Sequence, residues 1–255
     1  MQVITDIGNS DVVFGIYDND EWKYLWRTAS DRERSADDFK SFFSGMLSQN
    51  DIGVESVDSV VLSSVVPSLT PVILEMLASL FDKKIVVVNA SIYSKINVKI
   101  TTNENEIGTD LVANAVAGYN FAKGACIIVD FGTALTFTSI NNDGYIQGVA
   151  IAPGIKTAMK ALASNAAQLP EIPLELPKSV IGKDTIHAIQ AGILHGYIGL
   201  VRGILNQTKS ELGECKIVAT GGLSHILKPL HSAFDLIDKS LTINGLRLIG
   251  EMINS

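Results

Sequence analysis

The chain has 255 residues, 47% of them hydrophobic and 18% charged, with a net charge of -7 and a pI near 5.1. This balance suits one large domain or two small ones and excludes a disordered chain. An acidic chain without a Lys/Arg block also gives nucleic acid no electrostatic footprint. The opening MQVITDIGNS lacks a basic segment and carries Asp6, unlike a signal peptide, and no apolar run approaches the roughly 20 residues that span a bilayer. Cys126 and Cys215 sit alone in apolar runs and read as core thiols of a reducing compartment. The expectation is a soluble cytoplasmic protein with no membrane or nucleic-acid partner.

In chain order, VITDIG, VVFGIYD and EWKYLWRT read as strands, the last two separated by the turn residues DND. A helix begins at SADDFKSFFSGML, with Ser35 as N-cap, Asp38 three residues on and an apolar stripe of Phe39, Phe42, Phe43 and Met46. SVVLSSVV is a buried strand, Pro67 opens a helix through Leu80, and KKIVVVN is a further strand. The second half repeats the order: strands ACIIVDFG, LTFTSIN and YIQGVAIAPG, a helix after Gly154, a long helical stretch from about Thr185 to Leu212, a strand CKIVATGG and a closing helix INGLRLIGEMIN. Gly192, Gly196, Gly199 and Gly203 interrupt the long stretch without a propensity reason, which points to close helix–helix packing. The period exceeds one hundred residues, so this is a duplicated domain and not a solenoid. The division is expected at residues 1–115 and 116–255, in or near the helix DLVANAVAGYNFA.

Each half opens on the same motif, DIGNS from Asp6 and DFGTA from Asp130, an Asp-x-Gly closing one strand before a second begins. One such motif is also an ordinary capped turn. Two copies present backbone N–H groups to an anion, with Gly8 and Gly132 allowing close approach and Asn9, Ser10, Thr133 and Thr136 offering hydrogen bonds. Asp6 and Asp130 would repel phosphate unless a cation intervenes, as Mg²⁺ does when it takes one or two carboxylates plus phosphate oxygens. Two such hairpins read as a clamp on a nucleotide's phosphate tail, and the late strand ending in Gly221-Gly222 fits the same ligand.

These motifs resemble the actin/hexokinase/Hsp70 ATPase architecture. The ordered set DIGNS, SSVVPSL, VDFGTALTF, GVAIAPGI, IGKDTIHAIQAGILHGYIGLVRGI and ATGGLS is similar, over nearly the whole chain, to type III pantothenate kinases, the Bvg accessory factor homologues. The resemblance implies an α/β fold of duplicated ribonuclease H-like (actin-like ATPase) domains, each a mixed sheet with flanking helices. It implies an ATP-dependent kinase of coenzyme A biosynthesis that phosphorylates the hydroxyl of pantothenate. ATP would be bound by Asp6, Ile7, Gly8, Asn9, Ser10, Asp11, Val12 and Val13, and by Gly132, Thr133, Gly221 and Gly222. Asp6 would meet Mg²⁺ through water, and Asp130 would hold a monovalent cation, K⁺ or NH₄⁺. Asp110 would be the base for the acceptor hydroxyl. Thr101, Gly108, Thr109 and Leu111 would line the acceptor site, and Thr185 would reach substrate from the other subunit of a homodimer.

The residues around Asp110 agree with that role, since a carboxylate in the first turn of a helix is favoured by the dipole and held ionised. A helix N-terminal acid with no further duty has the same pattern. The chain departs from the resemblance on the acceptor side. The family motif Gly-x-Asp-Arg is here Gly108-Thr109-Asp110-Leu111, and Thr101 and Glu104 stand where a Tyr and a Pro are usual. An Arg fork suits a carboxylate, and Leu111 cannot replace it. Lys99 or Lys156 could supply the missing charge, and Glu104 and Glu106 would oppose an anionic acceptor unless they face solvent. Three readings follow: a pantothenate kinase, a kinase for another hydroxylated metabolite, and a nucleotide-binding regulator without turnover. His187, His195, His225 and His231 have no metal-ligand spacing and read as structural. Ser63-Ser64 ends a strand and could meet a ligand or only shape a turn. Trp22 and Trp26 share one strand face and read as core or interface.

Overall fold

A computed structural model describes residues 1–101, 103–104, 106–164, 172–224 and 226–254. His225 lies outside the described residues. The chain divides into two compact units, Met1–Ala117 with Thr242–Ser255, and Gly118–Leu241.

In the first unit β1 (Gln2–Ile7), β2 (Asp11–Asp18) and β3 (Glu21–Ala29) form an antiparallel meander. Asn19 and Asp20, at φ 49° and 62°, make the tight turn between β2 and β3, a conformation that Asn and Asp tolerate and that matches the strand twist. The helix α1 (Ala36–Gln49) starts at a complete capping box: Asp38 N–H donates to Ser35 Oγ (3.2 Å), and Ser35 N–H donates to Asp38 Oδ2 (2.9 Å). Its Phe39, Phe43 and Leu47 are buried, and Phe43 stacks on Phe14 of β2 at 4.6 Å between ring centroids. Next come β4 (Ser59–Ser64), α2 (Thr70–Leu80), β5 (Ile85–Val87), the two-residue β6 (Lys99–Ile100) and α3 (Thr109–Ala122), which runs past the Ala117/Gly118 division. The order in space is β3-β2-β1-β4-β5, with β1, β4 and β5 parallel.

The second unit holds β7 (Cys126–Phe131), β8 (Ala134–Ile140), β9 (Tyr145–Pro153), α4 (Ile155–Ser164), α5 (Thr185–Gln190), α6 (Gly196–Leu212), β10 (Lys216–Thr220) and β11 (Leu236–Ile237). Its strands run β9-β8-β7-β10-β11 in space, with β7, β8 and β9 antiparallel and β7, β10 and β11 parallel. Strand for strand this repeats the first unit, so the chain has the α/β fold of a duplicated mixed sheet with flanking helices. The last helix, α7 (Leu241–Asn254), packs with the first unit: an added Cβ at its Gly245 would strike the carbonyl of Ala113 in α3, and Thr242 Oγ1 donates to Asn114 Oδ1 (2.8 Å). Trp22 Nε1 also donates to Asn244 Oδ1 (2.7 Å), and Trp26 meets Phe43 edge-on, so both tryptophans are packing residues.

Several expectations change. The helix α2 begins at Thr70 and not at Pro67. Residues 67–69 form a turn in which Leu69 and Thr70 both donate to Val66 O, and Pro71 supplies the helix-compatible proline of the first turn. The strand after it is three residues long, not seven. In the long helix, a π-turn at Ala191–His195 joins α5 to α6. Thr185–Leu212 has the length and composition of a bilayer-spanning helix, with mean hydropathy 1.3 over its most apolar window, so the apolar stretch is longer than the sequence reading allowed. Ala191, Leu194, Ile198, Val201 and Leu205 are its buried face, and Leu194, Ile198, Val201 and Leu205 pack with Ile127, Val129 and Phe137 of the second sheet, one apolar stripe of an otherwise more exposed helix. Gly192, Gly196, Gly199 and Gly203 are all exposed, and a Cβ at any of them would meet nothing within 4 Å. The close helix packing expected at these glycines is absent among the described residues.

Candidate functional site

The first Asp-x-Gly motif is a strand end turned by glycine. Asp6 is the sixth residue of the chain and half-buried near the end of β1, beside Val13 of β2 and Ser63 of β4 in register. Gly8 N–H donates to Asp11 O (2.9 Å), and Asn9, Ser10 and Asp11 form an exposed loop tip. Ile7, Val12 and Val13 are buried and fix the strands beneath that tip. Ser30 ties the loop from the side, its N–H donating to Ser10 O (3.0 Å) and its Oγ to Gly8 O (2.6 Å). Nothing in the sequence marks Ser30; it is found only because β3 ends beside the β1–β2 loop.

Asp110 belongs to the same unit. Gly108 O accepts from Val112 N–H (3.1 Å), opening α3. Thr109 Oγ1 lies 3.0 Å from the fully buried Ser63 Oγ and donates to Ser64 O (3.1 Å). Ser63 is the register neighbour of Asp6, so one hydroxyl pair fastens the first turn of α3 to the strand beside Asp6. Ser64 accepts from Val66 N–H (3.1 Å) and from Thr70 Oγ1 (2.8 Å), which makes Ser63-Ser64 a structural clasp.

The environment of Asp110 pulls its proton affinity in two directions. Burial raises its carboxyl above the usual range, while the N–H groups of Leu111 and of Asp110 itself oppose that rise; Leu111 N–H donates to its Oδ1 (2.8 Å). Gly108 lies against this carboxyl: a Cβ there would meet Asp110 Oδ1, which would have to shift to admit it. Tyr93, only 4% exposed in a 3₁₀ segment (Ala90–Lys95), is a neighbour that the sequence did not suggest. Burial first, then the charges of Glu104 and Asp110, push its phenol up to about 12, so it stays a neutral hydroxyl. Leu111 is half-buried, Thr101 is exposed past β6, and Glu104 and Glu106 are exposed, with Glu106 Oε1 accepting from Asn103 Nδ2 (2.7 Å). Lys99 and Lys156 are exposed as well.

In the second unit the counterpart motif is more tightly framed. Gly132 N–H donates to Ala134 O (3.1 Å), and Thr133 O accepts from Gly154 N–H (3.1 Å) and Thr157 Oγ1 (2.7 Å). Gly154 is pressed against the carbonyls of Gly132 and Thr133, where a Cβ would not fit. Gly221, at φ +91°, closes the far side: a Cβ there would lie 2.6 Å from Asp130 Oδ1 and from Phe131 backbone. Gly222 follows with open space around it, and Gly221 O accepts from Ser224 Oγ (2.9 Å). The structure thus gathers Asp130, Gly132, Thr133 and Gly221 around one strand end, with Gly154 and Thr157 as supports that the sequence reading passed over. Thr185 is exposed at the start of α5, where Asp184 caps the helix through His187 N–H (2.8 Å). The rings of His187, His195 and His231 donate to backbone carbonyls of Ser179, Pro177 and Ser224, which is the structural role expected of them.

Among the described residues no group of three or more His, Cys, Asp or Glu could hold a metal ion. A cation at Asp6 or Asp130 would therefore rest on one carboxylate with hydroxyl, carbonyl, water or phosphate oxygens, a donor set suited to hard cations. A cavity of about 530 Å³ lined by Gln2, Tyr17, Asp18, Asp58 and Glu251, among others, lies at the start of β1 and contains none of the candidate residues.

Two mixed sheets of the same strand order, each with a glycine-turned aspartate at a strand end, define the actin-like fold. A chain from Campylobacter jejuni described as a Baf family transcriptional activator superposes with TM-score 0.62 over 99% of this chain and 100% of its own at 21% identity. MreB 5 of Spiroplasma citri bound to AMPPNP superposes with TM-score 0.54 over 99% and 96% at 11% identity. Likeness at these identities establishes the fold alone. The sequence goes further: a family model described as type III pantothenate kinase matches residues 2–207. The type III pantothenate kinase of Treponema pallidum (strain Nichols) is 42% identical over 257 aligned residues, covering 98% of this chain and 94% of its own length. The chain belongs to the type III pantothenate kinase family and is an ATP-dependent kinase acting on a small molecule.

Proposed function

We propose that the protein transfers the γ-phosphoryl group of ATP to the primary hydroxyl of pantothenate in the cytoplasm, as a step of coenzyme A biosynthesis. The observation that carries this reading is Asp110: a half-buried carboxylate whose proton affinity burial raises, its helix start clasped beside the strand of Asp6 through Ser63 and Thr109. Proton transfer is efficient when the base's pKa approaches the working pH, and burial moves Asp110 in that direction. In this mechanism the acceptor oxygen forms a bond to the γ-phosphorus, ADP leaves with the electron pair of the broken bond, and the hydroxyl proton passes to an Asp110 carboxylate oxygen. Phosphoryl transfer asks the protein mainly for positioning and charge neutralisation. The backbone and hydroxyl donors of Asp6–Val13 and of Gly132, Thr133, Gly221 and Gly222 are assigned to ATP. Asp6 would hold Mg²⁺ through water, and Asp130 a monovalent cation, K⁺ or NH₄⁺. Such ions supply neutralisation of phosphate charge.

Gly108, Thr109, Thr101 and Leu111 are assigned to the acceptor, and the halves 1–115 and 116–255 to the two copies of the duplication. Thr185 is assigned to the acceptor of the opposite subunit in a homodimer; the exposed Gly192, Gly196, Gly199 and Gly203 favour such pairing, because a helix face without side chains admits a second helix closely. Neither membrane nor nucleic acid enters the proposal. A second reading, a kinase for another hydroxylated metabolite, is favoured by Leu111 and Thr101, which leave no guanidinium or phenol at their positions. ADP release measured over a panel of hydroxylated acceptors separates the readings. Pantothenate as the best substrate supports the first; a neutral or cationic alcohol preferred over it selects the second; nucleotide binding without turnover of any acceptor leaves a regulatory protein. In the second case Leu111→Arg is expected to bring pantothenate into the substrate range.

A further inference from the structure

The sheet of the second unit sets two hydroxyl side chains beside Asp130. Thr220 of β10 is its parallel register neighbour and Thr136 of β8 its antiparallel one. Residues directly opposite one another share a face of the sheet, so Thr220, Asp130 and Thr136 form one row. Thr136 Oγ1 is buried and has no hydrogen-bond partner among the described residues. Buried hydroxyls are nearly always satisfied, and one left unpaired asks for a ligand or an explanation. A hydroxyl oxygen has two lone pairs and can accept a cation or an ammonium proton.

The first unit provides an internal control. Its corresponding row is Ser63, Asp6 and Val13, on β4, β1 and β2. Ser63 already contacts Thr109 Oγ1 at 3.0 Å, and Val13 has methyl groups where Thr136 has a hydroxyl. The duplicated strands therefore differ at one register position by an oxygen, next to the two aspartates assigned to different cations. Mg²⁺ dehydrates reluctantly and needs few protein ligands. A monovalent ion is less tightly hydrated and gains more from direct protein oxygens.

We propose that Thr136 is a direct ligand of the monovalent cation at Asp130, and that this hydroxyl distinguishes the second hairpin's cation site from the first. The inference rests on the assignment of that cation to Asp130. Thr136→Val keeps the β-branched shape and gives the second row the residue of the first. Thermal unfolding in KCl, compared with N-methylglucamine chloride at equal ionic strength and with an ATP analogue present, reads cation binding without turnover. Wild type is expected to be stabilised by K⁺. The valine variant should unfold at a higher temperature than wild type without K⁺, because an unpaired buried hydroxyl is gone, yet need at least tenfold more K⁺ for half its response. Thr136→Ser keeps the oxygen and should respond within threefold of wild type. A valine variant with the wild-type K⁺ midpoint, or a serine variant behaving like valine, overturns the role of Thr136 alone. A K⁺ response surviving in Asp130→Asn, or absent in wild type, overturns the cation assignment and this inference with it.

Discussion

Asp110 is where burial and function pull in opposite directions. Its carboxyl is raised above the usual range chiefly by burial. A carboxyl raised on folding contributes stability below its unfolded pKa, and that contribution is lost as pH rises through the folded value. Asp110→Asn should therefore be more stable than wild type at neutral pH and slower by about 10²- to 10⁴-fold in the chemical step, the usual worth of a general base. Paired denaturation and initial-rate measurements check both halves, and an active, destabilised variant would remove Asp110 from the mechanism. In wild type kcat/KM should fall as pH drops through the same raised pKa, and a flat acid limb would count equally against it. The motif position of Asp110 was legible in the sequence. Its proton affinity was not, because that depends on what covers the first turn of α3. Tyr93 stayed invisible for the same reason, being seventeen residues upstream with no motif of its own.

Elements with strong local signals were read closely. The start of α1 is decided by Ser35 and Asp38, whose reciprocal bonds need only four consecutive residues. Ser35→Ala should lower unfolding free energy by about 1 kcal/mol, measurable by urea denaturation, without changing kinetic constants; an equal loss of activity would show α1 to be coupled to the site. The start of α2 misled because Pro67 carries the signal of a first-turn proline, while Pro71 four residues later is the one used. The glycines of the long helix misled in another way. Their spacing shows that something can approach closely, but only the tertiary structure shows that nothing in the described chain does.

At the scale of the molecule, the exposed glycine face and the assignment of Thr185 make the same prediction. Sedimentation equilibrium should give a homodimer, and Gly196→Leu, which adds bulk where the isolated chain has open space, should weaken the dimer with little change in monomer folding. A clean monomer at micromolar concentration would remove Thr185 from any partner's acceptor site.

The duplication, and the strand ends and helix start that carry Asp6, Asp130 and Asp110, were legible in the sequence by itself, because each rests on short-range patterns: strand alternation, a glycine turn after a carboxylate, and a helix start; the fold class came from the resemblance that those motifs carry. The tertiary structure decided what those residues experience. Ser63 reaches Thr109 across forty-six positions, Gly221 closes on Asp130 across ninety-one, and Thr136 Oγ1 is left buried beside the same aspartate without a hydrogen-bond partner among the described residues. Burial, register and hydrogen-bond satisfaction belong to residue pairs distant in the chain, and only the folded sheet brings those pairs together.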